Sequence, residues 1–182
     1  MAFNDAAALP DLVFLKECFF YDEFSGALTW KVRPLHHFKN IHGMNTFNSK
    51  FSGRIAGSVM EKGYLTVSVS GNRFLVHRVV WKLVTGIEPP KHIDHRDLNK
   101  ANNKFQNLRQ ATKSQNGFNR NPSVSNSTGF KGVSWDSSRE KFYSSIFANG
   151  KTVSLGRHTT AEQAYAAYCK AAKEIHGEFA NL

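Results

Sequence analysis

The chain has 182 residues, a formal net charge of +10 and a hydrophobic content of 41%. That length suits one medium domain or two small ones, and the apolar share supports only modest cores. No apolar run approaches a bilayer span, and the first ten residues lack the basic start and apolar stretch of a secretory signal, so a cytoplasmic protein without a membrane partner is expected. Cys18 and Cys169 are far apart and each sits in an apolar context, which reads as two reduced core thiols; one long-range disulfide is the alternative. The charge is uneven: −4 over residues 1–30, +12 over 31–121 and +2 over 122–182. A phosphate polymer is the natural partner of so concentrated a positive field, with a solvated basic face as the plainer explanation.

In chain order, Leu12, Leu15, Cys18 and Phe19 fit one face of a short helix. Tyr21 to Gly26 reads as a turn and Ala27 to Trp30 as a strand. Residues 32–58, with His36, His37 and His42 among Asn, Gly and Ser, predict an ordered loop or a strand-poor insertion. The three histidines could bind phosphate or metal, but loop histidines are usually solvated. Tyr64 to Val69 alternates, Gly71-Asn72 supplies a two-residue turn, and Arg73 to Val76 returns as the second strand of a hairpin. His77 to Val84 predicts a helix stopped by Gly86 and Pro89-Pro90. His92 to His95 predicts a short strand, residues 96–106 a polar loop, and Leu108 to Ala111 a second strand. Thr112 with Gln115 forms a capping-box pattern that opens another helix. Residues 121–128 read as a linker. Beyond them come strand-like runs at Phe130–Trp135, Lys141–Phe147 and Thr152–Leu155. Thr159 with Glu162 opens a helix running to about Ile175, with a stripe of Ala164, Tyr168, Ala171 and Ile175, and Gly177 ends it.

The chemistry gathers in the middle of the basic segment. Asp94 and His95 are adjacent, Asn107 follows Asp94 by thirteen residues and Asn116 by twenty-two. Phosphodiester hydrolysis needs a nucleophile, help for the leaving 3′ oxygen and neutralisation of a crowded phosphorane, and one divalent ion can do the last two. Hard cations take oxygen ligands and keep several waters, so the Asp94 carboxylate and the Asn116 amide oxygen suffice. His95 can take a proton from water near neutral pH. Adjacent strand residues point to opposite faces, so the strand must end or twist at His95 for both to serve one centre. The structural alternative is that Asp94 caps a turn, His95 packs, and the asparagines fill a polar loop. His92 and His95 lie three apart, but with no Cys pair nearby a structural zinc is not expected.

The stretch from Val76-His77-Arg78 through Ile93-Asp94-His95, Asn102-Asn103, Asn107-Leu108-Arg109 and Gln115-Asn116 resembles the HNH nuclease family, in the branch found among phage and intron homing endonucleases. The resemblance implies a ββα-metal fold. It implies that His95 is the general base, that Asn107 braces the loop between the strands and helps orient that base, and that Asp94 and Asn116 hold one divalent cation. Magnesium is the first choice for that ion and manganese the second. His77 and Arg78, where the family also has His-Arg, are expected at a helix start, either with a backbone phosphate contact or in a purely structural role, and Lys113 on the following helix is a further DNA contact. If the chain is phage-encoded, its place is the host cytoplasm.

The tail, with Gly129-Phe130-Lys131-Gly132-Val133, Lys141-Phe142, Leu155-Gly156 and Thr160-Ala161-Glu162-Gln163-Ala164, resembles the APETALA/ethylene-response-factor DNA-binding domain of plant regulators, which is also found attached to HNH nucleases. It implies three antiparallel strands on one helix, with the free sheet face in the major groove. Strand alternation sends Phe142, Ser144, Ile146, Val153 and Leu155 toward the helix. It sends Lys141, Tyr143, Ser145 and Phe147 outward, with Thr152 and Ser154 beside them. Lys131, Trp135 and Arg157 complete the expected contacts. This face is poorer in arginine than the plant pattern, which favours apolar contact with thymine methyls over guanine-directed reading.

The expected class is therefore α+β: an N-terminal extension over 1–58 with a short helix and strand, an HNH nuclease domain over 59–120, the linker, and a reader domain over 129–182. The expected activity is metal-dependent hydrolysis of double-stranded DNA by a homing-type endonuclease, with a monomer favoured. The alternatives are a non-catalytic DNA-binding regulator on the same scaffold, or an RNA-directed binder, for which no aromatic stacking motif is visible.

Overall fold

A computed structural model describes residues 8–182. Internal contacts divide the chain after Ala111 into two units, each with its own core.

The first unit opens with α1 (Leu12–Cys18), capped by Asp11, whose Oδ1 accepts the Phe14 amide at 2.8 Å. Next, β1 (Phe19–Asp22) and β2 (Ala27–Trp30) pair antiparallel. The turn expected from Tyr21 starts only after Asp22, because Asp22 itself closes it, accepting from the Phe24 amide and the Ser25 hydroxyl. Residues 32–58 depart from the expected loop. They hold a 3-10 turn at Leu35–His37, helix α2 (Ile41–Phe51) and a short strand β3 (Ser58–Val59). Asn40 caps α2 through the Gly43 amide. Phe47 and Phe51, one helical turn apart, pack their rings 4.9 Å from each other, and Phe47 meets Trp30 edge-on at 5.0 Å. Beside them the buried Arg33 guanidinium lies 4.8–5.8 Å from the rings of Phe14, Trp30, Phe38 and Phe47. An aromatic cage thus supplies what the polar, Gly- and Asn-rich sequence of α2 lacks in helix propensity.

Strands β4 (Leu65–Val69) and β5 (Asn72–Leu75) form the expected hairpin, with β3 on the outer side of β4. Its turn is Ser70-Gly71, one residue earlier than expected: both have positive φ, 49° and 79°, and Val69 pairs with Asn72. This is the backbone twist that two-residue hairpins favour. Helix α3 (Val76–Thr85) buries Val76, Val79 and Val80 against Leu15, Leu28 and Val69, and ends at Gly86 with φ 76°. Strands β6 (Ile93–His95) and β7 (Leu108–Gln110) then pair antiparallel in the register Ile93 with Gln110, Asp94 with Arg109 and His95 with Leu108.

The second unit opens with α4 (Lys113–Phe118), whose Thr112/Gln115 capping box has both reciprocal hydrogen bonds. A three-stranded antiparallel sheet follows, in the order β10 (Lys151–His158), β9 (Lys141–Ala148), β8 (Val133–Asp136). Helix α5 (Ala161–His176) lies on it, with Ile146, Tyr168, Ala171 and Ala172 in the core. The cap of α5 is Thr160, accepting from the Gln163 amide, while Thr159 binds the Gln163 side chain; the box expected at Thr159 and Glu162 is displaced by one residue. Ser144 and Ile146 are buried as alternation requires, but Val153, the cross-strand partner of Ile146, stays exposed, because β10 is an edge strand with a bulge between Ser154 and Gly156. No helix among the described residues is long and apolar enough to cross a membrane.

Gly132 has φ +73°, and a Cβ there would meet the Tyr168 ring at 2.1 Å and the Ser145 carbonyl at 2.8 Å; Gly150, with φ +78°, has nothing within 4 Å. Gly132→Ala should therefore destabilise this unit by about 3 kcal/mol or more, against about 1 kcal/mol for Gly150→Ala, as read by urea denaturation of the full chain.

Candidate functional site

The site is built around the β6–β7 pair. Asp94 and Arg109 stand opposite each other on the ladder, and both are buried. Arg109 Nε and Nη2 both reach Asp94 Oδ2, at 2.8 and 2.7 Å. Desolvated charges persist only when paired with good geometry, and this contact of two guanidinium nitrogens with one oxygen fixes the carboxylate against Arg109.

His95, the next residue, turns away from that pair and ends the strand, as strand alternation demands. Its ring is buried, lies edge-on to His77 at 5.1 Å and is 6.0 Å from Tyr64. Burial pushes the His95 pKa below the ordinary histidine value, against a smaller opposing effect of the Asn103 hydrogen bond, so the ring is neutral at pH 7. Its Nε2 lies 3.4 Å from Asn103 Oδ1, and the Asn103 Nδ2 donates to the Ala101 carbonyl at 3.1 Å.

The loop from Arg96 to Asn107 is closed by side chains. Asn107 donates to Asp97 Oδ1 at 2.8 Å and to the Asn102 carbonyl at 2.9 Å, and its Oδ1 accepts the Asp97 amide at 3.0 Å. Asp97 also accepts from Asn102 Nδ2 at 2.6 Å and from the Asn99 amide at 2.9 Å. Partial burial raises the Asp97 pKa, but the hydrogen bonds from Asn102 and Asn107 outweigh it and hold the carboxyl below its usual range. Just after His95, Leu98 takes φ +64° and its amide binds the His95 carbonyl. Asn107 thus ties the loop, while the asparagine that touches His95 is Asn103. Asn103 and Arg109 belong to the motif without having been assigned a role. The hairpin register, which sets Arg109 opposite Asp94, was the signal for one of them.

Asn116 lies in the second unit, on α4, and its Oδ1 is buried without a hydrogen-bond partner. An orphaned amide oxygen is costly, and a cation is one group that would satisfy it. Exposed Lys113 stands at the start of the same helix.

Several expected DNA contacts are committed elsewhere. His77 is buried, its Nδ1 has no hydrogen-bond partner, and burial pushes its pKa down to about 3, so it is a neutral ring in the core. The Arg78 guanidinium donates to the carbonyls of Pro89 and Pro90, securing the segment that leads into β6. The Lys131 ammonium binds the carbonyls of Phe118 and Asn181 within its own unit. Arg157 is held by Asp136 at 2.8 Å and lies 5.3 Å from the Tyr143 ring; that hydrogen bond foremost pulls the Asp136 carboxyl down to about 2. On the outward sheet face Trp135 and Phe147 are about half exposed, Thr152 and Ser154 are exposed, and Lys141, Tyr143 and Ser145 are partly covered.

Among the described residues, one further group converges: Glu17, His36 and His37. His36 and His37 both direct Nε2 at Glu17 Oε2, at 3.0 and 2.8 Å. Arg33 Nε donates to His37 Nδ1 at 3.2 Å, which puts the His37 proton on Nε2. Hydrogen bonding accounts for the cluster, and His37, far from solvated, packs against Phe14 with ring centroids 4.1 Å apart and the planes tilted by 33°. Cys18 and Cys169 are both free thiols, and burial raises the Cys18 pKa to about 11.

The chain order of β6, an Asn-laced loop, β7 and α4, with Asp-His on the first strand and Asn on the helix, defines a nuclease domain of the ββα-metal type. Residues 74–118 match the HNH endonuclease family and residues 128–178 the AP2 domain. An uncharacterized HNH endonuclease, L560, of Acanthamoeba polyphaga mimivirus is 36% identical over 122 residues, which cover 66% of this chain and 62% of that protein. Protein 3.8 of Escherichia phage T7 is 34% identical over 107 residues, 58% of this chain and 88% of its own length. No solved structure matches the chain. The chain thus carries an HNH endonuclease domain at 74–118, followed by an AP2 domain at 128–178.

The depressed His77 pKa fixes a pH signature. The unfolded chain binds a proton at His77 below about 6.5 and the folded chain does not until about 3, so stability is full above 6.5 and falls as pH drops through that window. His77→Phe, which keeps an aromatic ring, should remove on the order of a few kcal/mol of that acid sensitivity in denaturant titrations at pH 7 and pH 4.

Proposed function

We propose that this protein is a metal-dependent DNA endonuclease of homing type. The observation that carries the reading is the setting of His95: a buried imidazole at the end of β6, next in sequence to Asp94, beside a loop closed by Asp97 and Asn107, with burial lowering its pKa. A neutral imidazole accepts a proton from water at physiological pH, and fixed surroundings keep it aimed. In this reading His95 is the general base and Asn107 preserves the loop that orients it. Asp94 and Asn116 hold one divalent cation, magnesium or manganese, and the unpartnered Asn116 oxygen fits such a role. When bound, that ion supplies Lewis-acid stabilisation of the phosphorane and of the leaving 3′ oxygen. The products are 5′-phosphate and 3′-hydroxyl ends.

The nuclease module is taken as residues 59–120, the linker as 121–128 and the reader as 129–182. Double-stranded DNA is the substrate, attracted by the charge of the middle segment and by Lys113. The reader meets it with Trp135, Tyr143, Ser145, Thr152, Ser154 and Lys141, a largely uncharged set suited to thymine methyls and groove shape. Arg157 contributes as the partner that stiffens Tyr143 and Asp136. Lys131, His77 and Arg78 leave the contact set because their polar groups are engaged or buried inside the protein. A monomer with one centre nicks one strand per encounter, and the protein works in the cytoplasm of the cell that makes it.

Incubation of supercoiled plasmid with the protein and magnesium should give nicked circles, and chelator should stop the reaction. Asp94→Ala and His95→Ala should each slow nicking by about 10²- to 10⁴-fold while leaving DNA affinity within a few-fold of wild type. Nicking by Asp94→Ala at the wild-type rate in magnesium overturns the assignment, and tight binding with no cleavage by the wild type favours a regulator. For the reader, Trp135→Ala and Tyr143→Ala should weaken DNA binding about tenfold each in gel shifts at fixed salt, whereas Lys131→Met should lower the melting temperature and leave affinity nearly unchanged.

A further inference from the structure

The loop that follows His95 carries a cation that the fold has already placed. Lys100 sits between Asn99 and Ala101, and the backbone on both sides of it is fixed. The Asn99 amide donates to Asp97 Oδ1 at 2.9 Å, its Oδ1 accepts the Ala101 amide at 3.1 Å, and its carbonyl accepts the Asn102 amide at 3.0 Å. Farther along the loop, the Tyr21 hydroxyl donates to the Asn103 carbonyl at 3.1 Å and accepts the Phe105 amide at 2.8 Å. The Lys100 side chain is held as well, although the residue is exposed. Its ammonium donates to the Lys62 carbonyl at 3.1 Å and lies 5.0 Å from the centre of the Tyr64 ring. Lys62 belongs to the turn before β4, which the Gly63 amide closes on the Met60 carbonyl at 2.8 Å. The same Tyr64 ring lies 6.0 Å from the His95 ring, and the Lys100 charge is near enough to act on His95.

An exposed lysine normally loses much rotamer freedom when it binds a ligand, and here the carbonyl and the ring have ordered it beforehand. Both partners are uncharged, so neither neutralises it. An ammonium has three protons, and the Lys62 carbonyl takes one, which leaves two donors for an anion. We propose that Lys100 is a catalytic residue that binds a non-bridging oxygen of the phosphodiester on which His95 acts, with the Lys62 carbonyl and the Tyr64 ring as the seat that aims it. The proposal rests on the nuclease reading of His95. The ammonium acts as a preorganised point charge that meets the negative charge building on the phosphorane oxygens.

The test uses the full chain and two measurements: DNA affinity in chelator across a salt series, and single-turnover nicking of supercoiled plasmid in magnesium at saturating protein. Lys100→Met keeps a stem against Tyr64 and removes the charge. It should reduce the slope of log affinity against log salt by about 0.9 and slow nicking on the order of 10²-fold, at an unchanged melting temperature. Lys100→Arg, which keeps the charge, should hold the wild-type slope and lose less than about tenfold in rate. Wild-type slope and rate in Lys100→Met overturn the proposal. A reduced slope with a wild-type rate also overturns it, because the contact is then with a flanking phosphate. A reduced rate with a wild-type slope, or an equal loss in Lys100→Arg, overturns it by making the lysine a prop of the loop. A wild-type chain that nicks nothing removes the nuclease reading; a reduced slope in Lys100→Met then leaves the phosphate contact standing, and an unchanged slope removes that too.

Discussion

The pairing of β6 with β7 is the constraint on which the rest of the site depends. Three residue pairs make a ribbon too short to persist alone. It persists because its loop is laced by Asp97, Asn102 and Asn107, because Asp94 and Arg109 are matched across it, and because Ile93 and Leu108 enter the core of the first unit. Each support is also chemical: the ladder register sets the Asp94 carboxylate against Arg109, and the strand end releases the His95 ring on the opposite side. A shift of register by one residue would exchange those two faces and separate the acid from its partner.

Burial in this site keeps imidazoles neutral. His77 and His95 lie edge-on, and a charge on either would be both desolvated and close to a second ring that could be charged. The arrangement is stable only while neither ring is protonated, and that is also the condition under which a histidine can accept a proton. The Asp97 and Asp94 carboxylates near His95 favour its protonation, but burial outweighs them. Stability of the neutral cluster and readiness of the proposed base thus come from one cause.

What was legible in the sequence was short-range. The Asp-His pair, the Asn-rich loop, the Thr112/Gln115 capping box and the alternation of β4 and β9 each show within a few residues, and each element forms where those signals lie. The turn at Ser70-Gly71 and the cap at Thr160 lay one residue from their predicted places because neighbouring residues offered equivalent chemistry. Helix α2 was not legible: its own residues favour a loop, and it stands because Phe47 and Phe51 meet aromatic partners such as Trp30 and Phe38. The packing of the histidine and arginine at the start of α3 was not legible either: the ring is buried, and the guanidinium binds Pro89 and Pro90. The setting of Lys131 was not legible for the same reason: a cation in sequence says nothing of the carbonyls that fold will bring to it. The contact of Tyr21 with Asn103 and Phe105 joins segments more than eighty residues apart, and no local pattern encodes it.

The extent of a family motif and the extent of a packing unit also differ here. The HNH match runs to residue 118, yet the unit changes at Thr112, so α4 lies on the far side of the physical boundary. The reason is visible in its contacts. Phe118 stacks on His176 at 3.7 Å with the rings nearly parallel, Lys131 binds the Phe118 carbonyl, and Asn181 reaches Asn121. Six residues of helix bury too little to stand alone, even with a complete capping box. These contacts to the AP2-bearing unit supply what the short helix lacks. The residues of α4 are specified by the chemistry of the HNH motif, but its stability is borrowed from the domain that follows, so losing the AP2 core would loosen a segment that sequence assigns to the nuclease.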